Sequence, residues 1–162
     1  MTKYWKIGII TGLLVLLAYF NWSVFQKEQV LKNGTFVLLK LAPVDPRSLI
    51  QGDYMSLRYE CVDSIRYPRE SSIMIELDSN HVGTKVNKYS SDLSGVDLSG
   101  VVTLRCKGGK YGRVHIGAES YFFEEGQAEL FEKACYGGLM VDKKGNSILV
   151  GLYDENLEKI KK

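Results

Sequence analysis

The chain has 162 residues, 45% of them hydrophobic, and a formal net charge of +2. That excess comes from Lys3 and Lys6 in the first 25 residues, which hold no acid, so the other 137 residues balance 19 basic against 19 acidic side chains. This length suits one compact domain. A nucleic-acid-binding domain needs a basic surface, and a neutral domain has no global excess to supply it, so we expect no nucleic-acid partner.

Residues 7–25 (IGIITGLLVLLAYFNWSVF) form an apolar run that contains no Asp, Glu, Lys or Arg. As a helix the run would extend about 28 Å, close to the roughly 30 Å hydrocarbon core of a bilayer. Lysines ahead of it favour a cytoplasmic N-terminus, and the long segment after it can translocate. The pattern predicts a single-pass protein of the cytoplasmic membrane. Its expected parts are a cytoplasmic N-terminus (1–6), a transmembrane anchor (7–25), a juxtamembrane helix or linker (26–34) and an extracytoplasmic β-rich domain (35–162).

Two other interpretations of the apolar run stay open beside the anchor that we favour. A cleaved signal peptide also has a basic start, but it ends at a small-x-small cleavage site, whereas Ala18 is followed here by YFNW. The second alternative is a buried helix of a soluble protein, which the length of the uncharged run disfavours.

Beyond the anchor, the pattern predicts a β-rich α+β domain of about seven strands and one short helix. Strands are expected at residues 35–41, 54–59, 72–78, 101–107, 111–116, 139–142 and 147–153, with a short apolar segment at 121–123 and the helix at 125–135. Gly34 is expected to end the N-terminal helix as a left-handed cap. Residues 90–100 are predicted to form a surface loop, because small and polar residues dominate there.

Three widely spaced cysteines, Cys61, Cys106 and Cys135, lie in the predicted outer domain. Each has apolar neighbours, and a free cysteine behaves as a small buried hydrophobe. We favour three buried thiols over one disulfide with an odd thiol left over. Zinc sites need clustered ligands, so no metal is expected.

One segment of the chain carries a family motif. Residues 52–59 read GDYMSLRY and fit the pattern G-D-Y-x-x-L-x-Y, with a D-P-R tripeptide upstream and the segment YFFEEG downstream at 121–126. In these segments the chain resembles the GDYXXLXY family of bacterial membrane-anchored proteins. The resemblance implies one N-terminal anchor, an extracytoplasmic β-rich domain, no assigned activity and a multi-pass membrane protein as partner. The motif residues that would line any binding site are Asp45, Pro46, Arg47, Gly52, Asp53, Tyr54, Leu57 and Tyr59.

The motif has a structural and a functional interpretation. In the first, Gly52 and Asp53 form a turn that opens a strand, and Arg47 pairs with Asp45 or Asp53 to fasten the loop. In the second, Arg47, Asp53, Tyr54 and Tyr59 line a binding groove, since motif loops often carry function. We favour the structural role.

Catalysis finds little support in the sequence. A signal-peptidase-like mechanism would use Ser48 as nucleophile with a lysine base, but Val44 occupies the position where those enzymes carry the nucleophile. His81 and His115, the two histidines, have no ligand spacing around them, and catalytic or metal sites need several convergent groups. We therefore expect no catalytic residue, metal or cofactor. The predicted function is a non-enzymatic accessory or interaction module of the cell envelope, and the alternative is an anchored hydrolase or small-ligand binder that uses residues 45–59.

Overall fold

The computed structural model describes residues 3–42, 54–63, 71–88, 100–108, 114–124 and 126–161. One long helix comes first and is followed by a β-rich domain. The elements are α1 (Lys3–Asn33), β1 (Thr35–Lys40), β2 (Tyr54–Ser56), α2 (Glu60–Asp63), β3 (Ser71–Leu77), β4 (Gly83–Lys88), β5 (Val101–Gly108), β6 (Val114–His115), β7 (Ser120–Phe122), α3 (Ala128–Phe131), β8 (Tyr136–Val141) and β9 (Ser147–Tyr153).

Helix α1 is long and apolar enough to cross a membrane, and its most apolar window is entirely exposed. A core helix of a soluble protein would be buried, so that interpretation does not fit, whereas a signal sequence at the N-terminus would have the same features. Asn21, the most polar residue of the predicted span, donates its side-chain amide to the Leu17 carbonyl at 2.8 Å. This bond within the helix lowers the cost of placing an amide in an apolar environment.

The junction between α1 and β1 is a single residue, Gly34. Its amide donates to the Val30 carbonyl at 2.9 Å, and a Cβ at Gly34 would overlap that same oxygen. Gly34 is not among the glycines with positive φ, so the expected left-handed cap is wrong. The glycine is needed because its backbone approaches Val30 and Val141 closely. Val30 is buried, and α1 contacts β8 and β9, so the end of the helix packs on the domain.

The described strands form two antiparallel sheets and a two-stranded ribbon. The sheets have the orders β1-β8-β9 and β4-β3-β5-β6, and the ribbon pairs β2 with β7. Leu39 of β1, Ile75 of β3, Leu104 of β5 and Leu139 of β8 are fully buried in one hydrophobic core. Phe131 of α3 is also fully buried there. These contacts make the sheets and the short helix one packed unit.

Three turns of the domain share one five-residue geometry. In each, an Asp carboxylate oxygen accepts the backbone amides two and four residues later, at 2.8 to 2.9 Å. The fourth residue of each turn has positive φ, as in three-residue hairpin loops that end in a left-handed residue. The turns are 78–82, 142–146 and 154–158, with His81, Gly145 and Leu157 in the left-handed position.

The predicted α+β class is confirmed, while several elements differ in detail. Nine strands are described where about seven were expected, and β4 was missed because its sequence, GTKVNK, has no apolar alternation. The expected helix at 125–135 shrinks to Ala128–Phe131, since Gly126 has φ +84° and the Cys135 amide bonds to Tyr153 at 2.8 Å. The short helix α2 was not predicted. Most of the expected loop at 90–100 lies outside the described residues.

Candidate functional site

The motif strand pairs with the other family-like segment. Tyr54 lies opposite Phe122 and Met55 opposite Tyr121 in the antiparallel ribbon of β2 and β7. One residue beyond β2, the Leu57 amide donates to the Glu119 carbonyl at 2.7 Å, so the two segments stay paired past the end of the strand. The G-D-Y-x-x-L-x-Y motif and the YFFEEG segment, which are more than sixty residues apart in sequence, therefore form one structural unit.

The last tyrosine of the motif is a core residue. Tyr59 is only 3% exposed, and its hydroxyl donates to the Ala118 carbonyl at 2.7 Å. Burial, together with the nearby charges of Glu119 and Cys61, raises the pKa of Tyr59 well above its ordinary value of 10.0. The hydroxyl therefore stays protonated and keeps its role as a donor, because a buried donor without a partner would be costly. Leu57 is buried as well.

Glu119 organises the turn that faces the motif. One oxygen of its partly exposed carboxylate accepts the backbone amides of Ile116 and Gly117, the latter at 3.1 Å. The same oxygen lies 3.7 Å from Nδ1 of His115. Gly117 has φ +83°, a conformation that glycine adopts without steric cost. The carboxylate thus fixes residues 116–119, including the carbonyl that receives the Tyr59 hydroxyl.

A small cleft of about 90 Å³ opens between the motif and this turn. Ligand pockets for drug-sized molecules are typically about 300–1,000 Å³, so this cleft suits a few water molecules or one small polar group. Arg58, His115 and Glu119 supply its charged or titratable groups. The other lining residues are Ser56, Leu57, Tyr59, Val62, Val114 and Ile116.

Three of the eight predicted site residues lie in the described part of the chain, and five lie outside it. Leu57 and Tyr59 belong to the core, and Tyr54 is a ribbon residue whose backbone pairs with Phe122. The others lie outside the described residues, as does Ser48; they are Asp45, Pro46, Arg47, Gly52 and Asp53. The proposed pairing of Arg47 and the groove around Asp53 therefore stay predictions.

Sequence reasoning missed the residues that complete the motif. Glu119 was considered only as part of a solvated acidic cluster, and Ala118 and Gly137 were not considered, although a Cβ at Gly137 would lie 2.9 Å from the Tyr59 ring. No local pattern marks Ala118 and Gly137, since each contacts Tyr59, which is about sixty or more positions away. The only available signal was the family-like YFFEEG segment directly after Glu119.

The cysteines are thiols, with no disulfide among them. Cys106 is fully buried on β5, and burial, reinforced by the nearby Glu119 charge, raises its pKa to about 11. Cys61 and Cys135 are half-buried, so the expectation of buried thiols fits Cys106 best. Within the described ranges, no group of three or more His, Cys, Asp or Glu side chains is placed to hold a metal ion.

Comparison with known proteins agrees with the motif. The model of the GDYXXLXY protein family matches residues 16–152. Neither a curated protein nor a solved structure matches the chain. Because the match runs from within α1 into β9, the last strand, and spans most of the sequence, the chain belongs to the GDYXXLXY family.

Proposed function

We propose that this protein is a membrane-anchored, non-enzymatic accessory module of the cell envelope. Residues 7–25 span the cytoplasmic membrane once, the N-terminus stays inside, and the β-rich domain lies outside the cytoplasm. Its partner is a multi-pass membrane protein. The observation that carries the proposal is α1 itself, whose apolar surface is exposed and which joins the domain through one residue, Gly34.

The structural role of the motif side chains supports a non-enzymatic function. Of the motif side chains in the described part of the chain, Leu57 and Tyr59 pack in the core. Glu119 is engaged with backbone amides. These groups hold the fold together, whereas catalytic groups must converge on a substrate.

The membrane partner would contact α1 within the bilayer. Gly8 and Gly12 lie one helical turn apart, and a Cβ at either position would meet no neighbour within this chain. Small residues at such spacing let two transmembrane helices approach closely. Their exposure gives the partner proposal a definite surface to test.

Affinity purification of the full chain in mild detergent tests the proposal. We expect a multi-pass membrane protein to co-purify, and expect it to be reduced for Gly8→Leu/Gly12→Leu but retained for the control Ile10→Leu/Val15→Leu. A reporter enzyme fused after Lys162 should be active outside the cytoplasm. Release of the full-length protein by carbonate would overturn the anchor, and reporter activity in the cytoplasm would overturn its proposed orientation. Purification of the chain alone would overturn the partner.

A small-ligand binder is the second candidate, and the cleft beside the motif is the observation that favours it. Its Arg58 and His115 would recognise a small anionic group, since both can donate hydrogen bonds to it. The test is the thermal unfolding of the full chain with small carboxylates and phosphate. A saturable rise in Tm that His115→Ala abolishes supports this function, and no rise with any such anion contradicts it.

A further inference from the structure

We propose that the end of the β1-β8-β9 sheet next to α1 binds the anionic phospholipid headgroups of the membrane that α1 enters. This surface, the basic end, consists of the turn 142–146 and Arg105. The inference rests on the proposed anchoring of α1. It assigns the domain a fixed lipid-facing side, which anchoring alone does not require.

The chain connectivity identifies which end of the sheet lies next to the helix. Asn33 ends α1 and Thr35 begins β1, and Thr35 pairs with Val141, the last residue of β8. Val141 pairs in turn with Ser147, the first residue of β9. The turn 142–146 therefore projects from the sheet end that is joined to α1, and the contacts of α1 with β8 and β9 keep it there.

The distance from the bilayer fits lipid contact. Asn33 lies eight positions after Phe25, the end of the predicted span, so α1 raises the domain by about 12 Å above the hydrocarbon core. Each headgroup layer is roughly 5–8 Å thick. A lysine in a turn that projects from this end of the sheet can bridge the remaining few ångströms.

The two turns at opposite ends of this sheet have the same backbone geometry but opposite charge. The turn at the helix end reads DKKGN and exposes Lys143 and Lys144, whereas the turn at the opposite end reads DENLE and exposes Glu155 and Glu158. Both turns are held by the same Asp-to-amide hydrogen bonds. The backbone requirement therefore does not explain the charges, but an anionic surface on one side of the domain does.

The Arg105 side chain is exposed to solvent beside the turn 142–146, and a backbone hydrogen bond holds its strand against that turn. The Arg105 amide donates to the Gly145 carbonyl at 2.8 Å, which ties β5 to the turn, and the Arg105 side chain is exposed. Asp142, the acid of the turn, accepts three hydrogen bonds from Lys144 and Asn146. On α1 above the predicted span, Glu28 forms an ion pair with Lys32 at 3.4 Å, and Lys27 adds a further cation. Among the residues that the structure describes at this end, the cations outnumber the acids even with the Asp142 carboxylate counted.

Hydrogen exchange of the full-length protein in lipid nanodiscs tests the proposal. Each lysine near an anionic surface is worth roughly fivefold in affinity. We therefore expect amide exchange across residues 142–146 to slow by roughly fivefold or more in nanodiscs of phosphatidylcholine with phosphatidylglycerol, relative to phosphatidylcholine alone. High salt should remove the difference, since exposed charges are screened.

Variants separate the basic end from a general charge effect. Lys143→Ala/Lys144→Ala should abolish the lipid dependence, while Lys133→Ala, which removes an exposed lysine three residues before the far end of β8, should retain it. Equal exchange in both lipids for a protein that inserts into the nanodiscs would overturn this inference and leave the anchor standing. Failure to insert would overturn both. Protection by inorganic phosphate in phosphatidylcholine nanodiscs would instead show a small-anion site and overturn the lipid surface.

Discussion

Gly137 lies directly against the ring of Tyr59: a Cβ at Gly137 would be 2.9 Å from Cε1 and 3.0 Å from the hydroxyl oxygen. Gly137 is the second residue of β8, the strand whose opposite end contacts α1, and Tyr59 ends the family motif. The contact therefore joins the motif to the sheet that carries the helix. The Tyr59 hydroxyl extends the link to the turn at Ala118.

Tyr59→Phe tests the hydrogen bond of this link. The variant keeps the ring but leaves the Ala118 carbonyl without the hydroxyl, and we expect a loss of about 1–3 kcal/mol in the free energy of unfolding. Urea denaturation followed by circular dichroism measures it. Tyr121→Phe is the matched control, because Tyr121 lies on the ribbon and its ring packs against Phe131. Equal, small losses in both variants would contradict the role of Tyr59.

Gly137→Ala tests the packing side of the same link. The new methyl would overlap the Tyr59 ring, and overpacking of a well-filled core typically costs about 1–3 kcal/mol. We expect Tm to fall, and expect a smaller fall when Gly137→Ala is introduced into a Tyr59→Leu background, where the space is vacant. An equal loss in the two backgrounds would show that another neighbour sets the cost.

Substitutions at the left-handed position of two equivalent turns should change the free energy of unfolding in opposite directions. His81 is exposed and has φ 63°, a conformation that costs a residue with Cβ about 1–2 kcal/mol. His81→Gly should therefore raise the free energy of unfolding by about 0.5–1 kcal/mol, after the larger entropy of glycine in the unfolded chain is subtracted.

Gly145→Ala, at the same position of the turn 142–146, should do the reverse. Gly145 has φ +83°, and a Cβ there would lie 2.9 Å from the Arg105 amide nitrogen. Thermal unfolding of the two variants beside the unmodified chain provides the comparison. Two shifts of the same sign would show that backbone conformation does not dominate at these turns.

The turn 142–146 also predicts a dependence of stability on pH. Partial burial of Asp142 acts to raise its pKa, but hydrogen bonds from Asn146 and Lys144 and the Lys144 charge outweigh it and hold the pKa below its ordinary 3.8. Because the pKa of Asp142 is lower in the folded chain, its carboxylate stabilises the fold above the unfolded value. That contribution is lost as pH falls through the folded value.

Asp142→Asn isolates this contribution, since the amide oxygen still accepts hydrogen bonds but does not titrate. The difference in unfolding free energy between the unmodified chain and the variant should shrink as pH falls from about 6 to about 3. Glu132→Gln, which alters an exposed carboxylate after α3, is the control. A gap that stays constant with pH would refute the titration of Asp142 as the cause.

Two elements with strong patterns that are local in sequence were predicted well. The β8–β9 hairpin follows from apolar segments around DKKGN, and α1 follows from its uncharged run. β4 could not be found this way, because its pairing with β3 through residues such as Val86 and Lys85 defines it as a strand. Gly34 was identified as important for the wrong reason, since its close approach to Val141 exists only after the sheet forms.

The candidate site shows the same limit. The motif predicted a turn followed by a strand over 54–59. The strand is shorter than predicted, since β2 ends at Ser56, although Leu57 and Tyr59 beyond it are both buried, and the turn lies outside the described residues. Their partners at Ala118 and Gly137 depend on how β7 and β8 pack beside the motif, which one sequence does not encode as a spacing. The YFFEEG segment could be linked to the motif only through the family, and the ribbon of β2 and β7 supplies the physical reason for that link.

Cys106 gives a chemical test of the core. It is fully buried, and its pKa is raised from 9.0 to about 11 by burial and by Glu119, so at pH 8 its reactive thiolate is about a hundredfold scarcer than for an ordinary thiol. We expect iodoacetamide to modify the half-buried Cys61 and Cys135 well before Cys106 in the folded full-length protein, and to modify all three at similar rates in denaturant. Mass spectrometry of peptides from a time course measures each site. Modification of Cys106 as fast as Cys135 without denaturant would mean that the sheet of β3 and β5 opens readily, and the core assigned here to Leu104 and Ile75 would have to be revised.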